Sequence, residues 1–404
     1  MSNLSIILRT PGLGVAALVM MLIGAFSGSI FPFQSVIGIE EIGLSEPTFA
    51  TLMVLASASG VIAAVFLGIL SDRFANRRVL AIATSACGTL GLGLMLIAPR
   101  PVSFIICHGI AVPIAMAMMG QIFALGRLAL SDQPDRRVIV LSWIRACMSG
   151  AYLAAMLVWN WYFRLGGVLM GVYVGAFAIS LCMTVALIIG WPRQGRAKWA
   201  DVPSGLNFRQ AFKEILRGAV VIRLLCMGAM TSVISLFMTL LPLIFLTTPN
   251  RTTGDAALYF GLVAGWEVPV MLTMHLWGLR IRRSMLMAMG GLFYALNIIA
   301  LQIMAASPMV WALSFVGGAS GAVFMGLQIS YLQDLLNGRP GTAGALLALQ
   351  KLIGDLAAAL AFLVGTMLGG YGAVALIGGA IGCIGAIGLM MVDRRGEPIA
   401  LAGA

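Results

Sequence analysis

Apolar residues in this chain fall in repeated blocks of about twenty, and strand-like alternation of apolar and polar positions is absent. At 1.5 Å per residue, a block of that length crosses a hydrocarbon layer of roughly 30 Å as one helix. The pattern predicts twelve spans, at 13 to 38, 47 to 70, 79 to 98, 102 to 126, 138 to 160, 166 to 190, 221 to 247, 256 to 279, 285 to 305, 309 to 332, 342 to 367 and 372 to 392. Each end is good to about 2 to 4 residues. The expected fold class is therefore an all-α membrane protein rather than a barrel. An even number of crossings puts both termini on one side.

Composition agrees with the pattern. The chain is 61% hydrophobic and 10% charged, far from the soluble balance of about half apolar and about a quarter charged. A net charge of +11 could suggest nucleic acid, but the bases are placed by topology and not gathered on one face. Arg73, Arg77 and Arg78 follow the second span, Arg127, Arg136 and Arg137 the fourth, and Arg280, Arg282 and Arg283 the eighth. Arg394 and Arg395 follow the last, and the connection between spans six and seven carries Arg193, Arg196, Lys198, Arg209, Lys213 and Arg217. The opposite loops offer only Arg100, Arg164 and Arg251, and one of those loops carries Glu40, Glu41 and Glu46. The positive-inside rule makes both termini cytoplasmic and the basic excess an orientation signal. Arg9 precedes an apolar run too long for a secretory signal, which reads as the first helix. The six cysteines fall within predicted helices without metal-ligand spacing and are expected to pack.

The longest polar stretch divides the chain into a six-helix bundle at 1–190, a cytoplasmic linker at 191–218 and a second six-helix bundle at 219–404. Within the linker, Phe208, Phe212, Ile215 and Leu216 form one apolar side, as in a helix lying on the membrane surface. Internal repetition supports the cut. Arg77 and Arg78 precede Arg282 and Arg283 by 205 positions, and Gln121 precedes Gln328 by 207, each within locally similar sequence. Two matches at nearly one offset indicate duplication, a recurring transporter design with the site at the midplane between the halves.

The loop Gly68-Ile-Leu-Ser-Asp72-Arg73-Phe-Ala-Asn-Arg77-Arg78 follows a GxxxDRxGxRR pattern, with Ala75 at the usual glycine. On these residues, and over essentially its whole length, the chain resembles the major facilitator superfamily. That resemblance implies a cytoplasmic gating latch, in which Asp72 meets a helix end of the other half and the arginines pair with acids. The other reading of the loop is a basic turn serving orientation alone. A narrower resemblance, to the bacterial sugar efflux transporter family, rests on three blocks. They are Phe123-Ala-Leu-Gly-Arg127 with Arg145-Ala146, Gly265-Trp-Glu267-Val-Pro269, and Gln333-Asp334-Leu-Leu-Asn-Gly338-Arg339-Pro-Gly-Thr-Ala-Gly344.

Ionised groups inside a bilayer cost at least about 2.5 to 3.5 kcal/mol, so each asks for a reason. Arg145, Glu267, Lys351 and Asp355 stand out. Glu267 falls midway along span eight beside Pro269, which removes a backbone donor. A carboxyl in that setting can alternate between neutral and charged as a proton carrier. It can equally be a fixed partner of Arg145, since the superfamily resemblance places spans five and eight side by side. Lys351 and Asp355, four apart, share a helix face and either neutralise each other or exchange partners during turnover. Asp355 is the second candidate for proton coupling. Neutral amides suit a sugar's hydroxyls, which points to Gln34, Gln121, Gln328 and Gln350; the superfamily resemblance makes the spans of the first three cavity-lining. Trp266 could stack on a sugar ring. Asn297 and Gln302 are expected to pack, Trp159, Trp161 and Trp191 to anchor helix ends, and the glycine-rich stretch 378–388 to serve close helix approach.

The leading expectation is secondary active transport of a sugar or similar small polar molecule, coupled to protons and directed outward. The protein would sit in the bacterial inner membrane, work as a monomer and need no cofactor. No GxxxxGK[ST] sequence is present for ATP hydrolysis. A second expectation is copper uptake, from 26 methionines and clusters such as Met271, Met274 and His275, Met116, Met118 and Met119, and Met227 and Met230. Thioether and imidazole suit Cu(I). An intramembrane enzyme would need a set such as HExxH or GxSxG, and neither occurs. A receptor with the transporter fold is the remaining alternative.

Overall fold

The computed structural model describes residues 12–74, 76–130, 134–192, 217–277, 281–335 and 340–394, with Ile7 and Thr10. Among them the regular structure is helical throughout. The helices are α1 (Leu13–Ile30), α2 (Glu46–Phe74), α3 (Arg77–Ile97), α4 (Pro101–Ile106), α5 (Val112–Met116), α6 (Met118–Ala129), α7 (Pro134–Arg164), α8 (Gly171–Gly190), α9 (Gly218–Thr247), α10 (Thr253–Trp277), α11 (Arg283–Met304), α12 (Val310–Leu335) and α13 (Pro340–Val392).

Local chemistry sets several boundaries. Asn76 caps α3 by accepting the Val79 amide at 3.4 Å. Thr252 and Asp255 cap α10 reciprocally: the Thr252 amide donates to the Asp255 carboxylate at 2.9 Å, and the Asp255 amide donates to the Thr252 hydroxyl at 3.2 Å. Helix α1 continues through a 3-10 turn at Phe31–Phe33, which contains Pro32, and a π-turn at Ile37–Glu41. The fourth crossing is likewise interrupted, by a π-turn at Cys107–Ala111 directly before Pro113. Helix α13 runs for 53 residues but breaks at Gly369 and Gly370. Gly370, at φ 68° and ψ −156°, adopts a backbone that essentially only glycine tolerates, and it separates the last two crossings.

Nine helices among the described residues are long and apolar enough to cross a membrane, with Leu346–Val392 counted once across its break. The long helices α7 and α10 stand outside that count. The arrangement is consistent with twelve crossings. The linker segment expected to lie on the membrane, residues 208–216, is outside the described residues.

The chain forms two compact units. One comprises residues 1–43 and 58–205, the other 44–57 and 206–404, so the first part of α2 groups with the later helices. In the first unit α1 packs chiefly on α7 and α8, around Met20, Ile23, Met118, Ile122, Val140, Ile144 and Leu187. In the second, α9 packs on α13, and α11 on both α12 and α13, around Leu224, Met227, Phe324, Tyr331, Ala386 and Leu389. Phe49, from α2, meets Phe362 within this unit at 5.8 Å between ring centroids.

Two corrections follow. Trp159 and Trp191 are buried, not surface anchors; the Trp159 indole donates to the Ser29 hydroxyl at 2.9 Å, which satisfies its N–H inside the unit. Trp161 is exposed, as expected of an anchor.

Candidate functional site

Helices α9 and α13 approach closely because they have glycine where they meet. A Cβ on Gly354 would lie 2.9 Å from the Gly228 carbonyl and 2.9 Å from Thr231, and one on Gly228 would collide with Ile353. Only hydrogen at these positions lets short side chains of α9 reach the polar residues of α13.

Two polar layers result, one helical turn apart. In the first, the Gln350 amide donates to the Thr231 hydroxyl at 2.7 Å and to the Gln328 side-chain oxygen at 3.0 Å. Both amide hydrogens of Gln350 are thereby engaged, while its buried oxygen has no partner. That oxygen is an acceptor available to a hydroxyl. In the second layer, Asp355 accepts from the Ser235 hydroxyl at 2.6 Å and from Lys351 Nζ at 2.5 Å. Asp355 is buried, but the Lys351 side chain is 64% exposed, so the pair has one fixed and one accessible end. Thr231 and Ser235 also lie one turn apart, so the same face of α9 serves both layers. Neither hydroxyl was singled out in the sequence; their only signal is the i, i+4 spacing of two polar residues in an apolar helix.

Glu267 occupies a different neighbourhood, among α10, α11 and α12. A Cβ on Gly321 would lie 3.3 Å from its Oε1 and 3.1 Å from the Tyr294 ring, and one on Gly318 would lie 2.5 Å from the Val263 carbonyl. The glycines of α12 thus form the surface against which the carboxylate rests. Two residues on, Pro269 lies inside α10 and leaves the Gly265 carbonyl without its helical donor. Trp266 is exposed and meets Phe315 edge-on at 5.2 Å.

The other candidates are dispersed. Gln121 is buried and accepts from the Arg77 guanidinium at 3.3 Å, which also donates to Ser71 at 3.1 Å. Gln121 is therefore tied to the start of α3. Arg78 donates to the Ile188 carbonyl at 2.8 Å, joining the start of α3 to α8. Nothing packs within 4 Å of a Cβ built on Gly68. Gln34 is half-buried in the first unit, and Arg145 is exposed on α7. The side chains of Asp72, Arg73, Arg127 and Asp334 lie outside the described residues.

Several methionines of the clusters serve the apolar cores. Met118, Met227 and Met230 are core residues, and His108 is buried with its Nε2 at 2.5 Å from the Tyr173 hydroxyl. Among the described residues, no three His, Cys, Asp or Glu side chains gather. Thioether here fills irregular apolar gaps, so copper uptake is not supported; the His275 side chain lies outside the described residues.

Sequence and fold comparisons agree with this architecture. No sequence-family model matches the chain. It is 25% identical over 403 residues to a Deinococcus radiodurans protein described as "Putative sugar efflux transporter", covering 96% of this chain and 99% of that one. Among solved structures, a peptide transporter POT in complex with sulfate matches with a TM-score of 0.80 at 12% identity, over 99% of this chain and 100% of that one. The nucleoside transporter NupG matches with a TM-score of 0.75 at 17% identity, over 94% and 98% of the two chains. A D-xylose-proton symporter matches with a TM-score of 0.68 at 16% identity, over 93% and 95%. The chain is an all-helical, multi-pass membrane protein with the major facilitator fold, and in sequence it resembles a bacterial sugar efflux transporter over nearly its whole length.

Proposed function

We propose that this protein is a proton-coupled secondary transporter that exports a sugar or similar small polar molecule across the bacterial inner membrane by alternating access. It would work as a monomer with both termini cytoplasmic. The observation that carries the reading is the polar face built by Thr231, Ser235, Gln328, Gln350, Lys351 and Asp355 within an apolar helical unit. Amides and hydroxyls match the donors and acceptors of a polyol, and the open Gln350 oxygen takes a hydroxyl hydrogen. Asp355 within this face, and Glu267 in the separate cluster of α10, α11 and α12, are the carboxylates that can carry a proton. The likeness to the Deinococcus protein supports the sugar class. The fold and the transporter likenesses support transport.

The test is uptake into inside-out vesicles of a labelled panel comprising glucose, xylose, arabinose and lactose, with an imposed pH gradient. Accumulation of at least one sugar, collapsed by a protonophore and absent with Gln350→Leu, is expected. Equal uptake of every sugar by vesicles with and without the protein would refute the sugar assignment.

A further inference from the structure

Of the Asp, Glu, Lys and Arg side chains described within the predicted spans, those of Arg145 on α7 and Lys351 on α13 are exposed. Both are cationic. Asp355 is buried, and Glu267 and Arg223 are half-buried. The charge that these helices offer to their surroundings is therefore positive.

Lys351 shows what this charge faces. It lies about 16 Å along α13 from Pro340, too deep in a crossing for its stem to carry the ammonium to an interface. Its side chain is nevertheless 64% exposed. That exposure is not toward lipid. Leu360 and Met367, about two and a half and about four and a half turns further on, are exposed on the opposite side of α13. Ala358 and Phe362, about two and about three turns on along the Lys351 side, are buried. An ammonium inside a span is tolerated where it meets water, so this side of α13 opens on water at Lys351 and closes beyond it. Gln350 and Asp355 flank Lys351 on the helix, and their partners Thr231, Gln328 and Ser235 are half-buried, so the polar face borders the same opening.

An ammonium has three donors. One of them meets the buried Asp355 carboxylate, and the pair is a dipole whose positive end is the exposed one. A neutral sugar needs hydroxyl partners and no such charge, whereas an anionic group gains a charge-assisted hydrogen bond from it. We propose that Lys351 selects a sugar that carries one anionic group, a carboxylate or a phosphate, whose hydroxyls meet the polar face while the anion meets the ammonium. The assignment rests on the reading of this face as a sugar site. Neutral sugars of the same outline bind there without the ionic contact, and so more weakly.

The experiment is calorimetric titration of purified full-length protein in detergent, at low ionic strength, with glucose, glucuronate and glucose 6-phosphate. At least one of the two anionic sugars is expected to bind about tenfold more tightly than glucose or better, and which one does so tells carboxylate from phosphate. The advantage should shrink as salt is raised. Lys351→Met is combined with Asp355→Asn, so that no buried carboxylate is left unpaired, and the ratio of anionic to neutral affinity should then fall to about one. Lys351→Arg, still cationic, should keep most of the advantage. A lysine that served only to neutralise Asp355 would alter stability and leave the ratio untouched. An advantage absent from the wild type, or surviving in the double variant, overturns the assignment while glucose binding still supports the sugar site. Failure of all three ligands to bind would instead overturn the sugar reading, and this assignment with it.

Discussion

At the scale of single residues, the polar face works because each group has a definite job. Gln350 uses both amide hydrogens within the protein and keeps its oxygen open, so it is oriented before any ligand arrives. Replacing Thr231 with valine removes one acceptor and strands an amide hydrogen, which should lower stability in detergent by about 1 to 3 kcal/mol. A thermal unfolding series on Thr231→Val and Thr231→Ser checks this, with serine expected to retain most of the stability. Glu267 admits an equally sharp test through its neighbour. The Cβ of Gly321→Ala would stand 3.3 Å from the carboxylate and 3.1 Å from the Tyr294 ring, so the carboxylate must shift. Because the neighbours must give by only a few tenths of an ångström, transport should fall by less than the roughly hundredfold that a misplacement of about 1 Å can cost, at normal expression; wild-type rates in Gly321→Ala would show that the seat of Glu267 is unimportant. Much of this was legible in the sequence, because Gln350, Lys351, Asp355 and Glu267 interrupt apolar helices. Thr231 and Ser235 were not, since a hydroxyl can bond its own helix, as Thr231 does to the Met227 carbonyl at 2.9 Å, and so hardly disturbs the apolar pattern. Gln121 was legible as polar but not as the partner of Arg77, because that bond joins residues 44 apart.

Among the helices, the sequence located the crossings well and their interactions poorly. The division expected between 367 and 372 coincides with the break at Gly369 and Gly370, where glycine and hydropathy give the same signal. Gly370→Ala forces a side chain into that backbone and should cost about 1 to 3 kcal/mol, measurable as earlier thermal unfolding. The π-turns at Ile37–Glu41 and Cys107–Ala111 had no such signal, because one extra residue in a turn leaves the apolar run intact. Long-range polar ties were also hidden. Arg251, on an otherwise base-poor loop, donates to the Ala305 and Ser307 carbonyls at 2.8 Å each, capping the end of α11. Arg223 on α9 pairs with Asp393 at 2.7 Å, and Tyr331 on α12 donates to the same carboxylate at 2.6 Å, so three helices meet at one buried acid. Removing the acid alone leaves a largely buried guanidinium unpaired, so Asp393→Ala should cost about 3 to 5 kcal/mol. Adding Arg223→Met should recover part of that loss in a double-mutant cycle, whereas additive losses would mean that the ion pair contributes nothing.

For the whole molecule, the alternating access proposed above has the loop between α2 and α3 as its proposed control point. The start of α3, just after that loop, is anchored inside the first unit, Arg77 on Ser71 and Gln121 and Arg78 on the end of α8. Asp72→Asn should therefore slow turnover for every sugar alike, because a gate shifts the equilibrium between states without distinguishing substrates; altered selectivity at an unchanged rate would exclude the latch. The central claim, that sugar movement and proton movement are one process passing through Glu267, is tested most directly in proteoliposomes with a pH dye in the lumen and no imposed gradient. Adding a transported sugar outside should change luminal pH with wild-type protein, and Glu267→Gln should abolish the pH change while sugar binding persists. A sugar-driven pH change of wild-type size in Glu267→Gln would contradict the account.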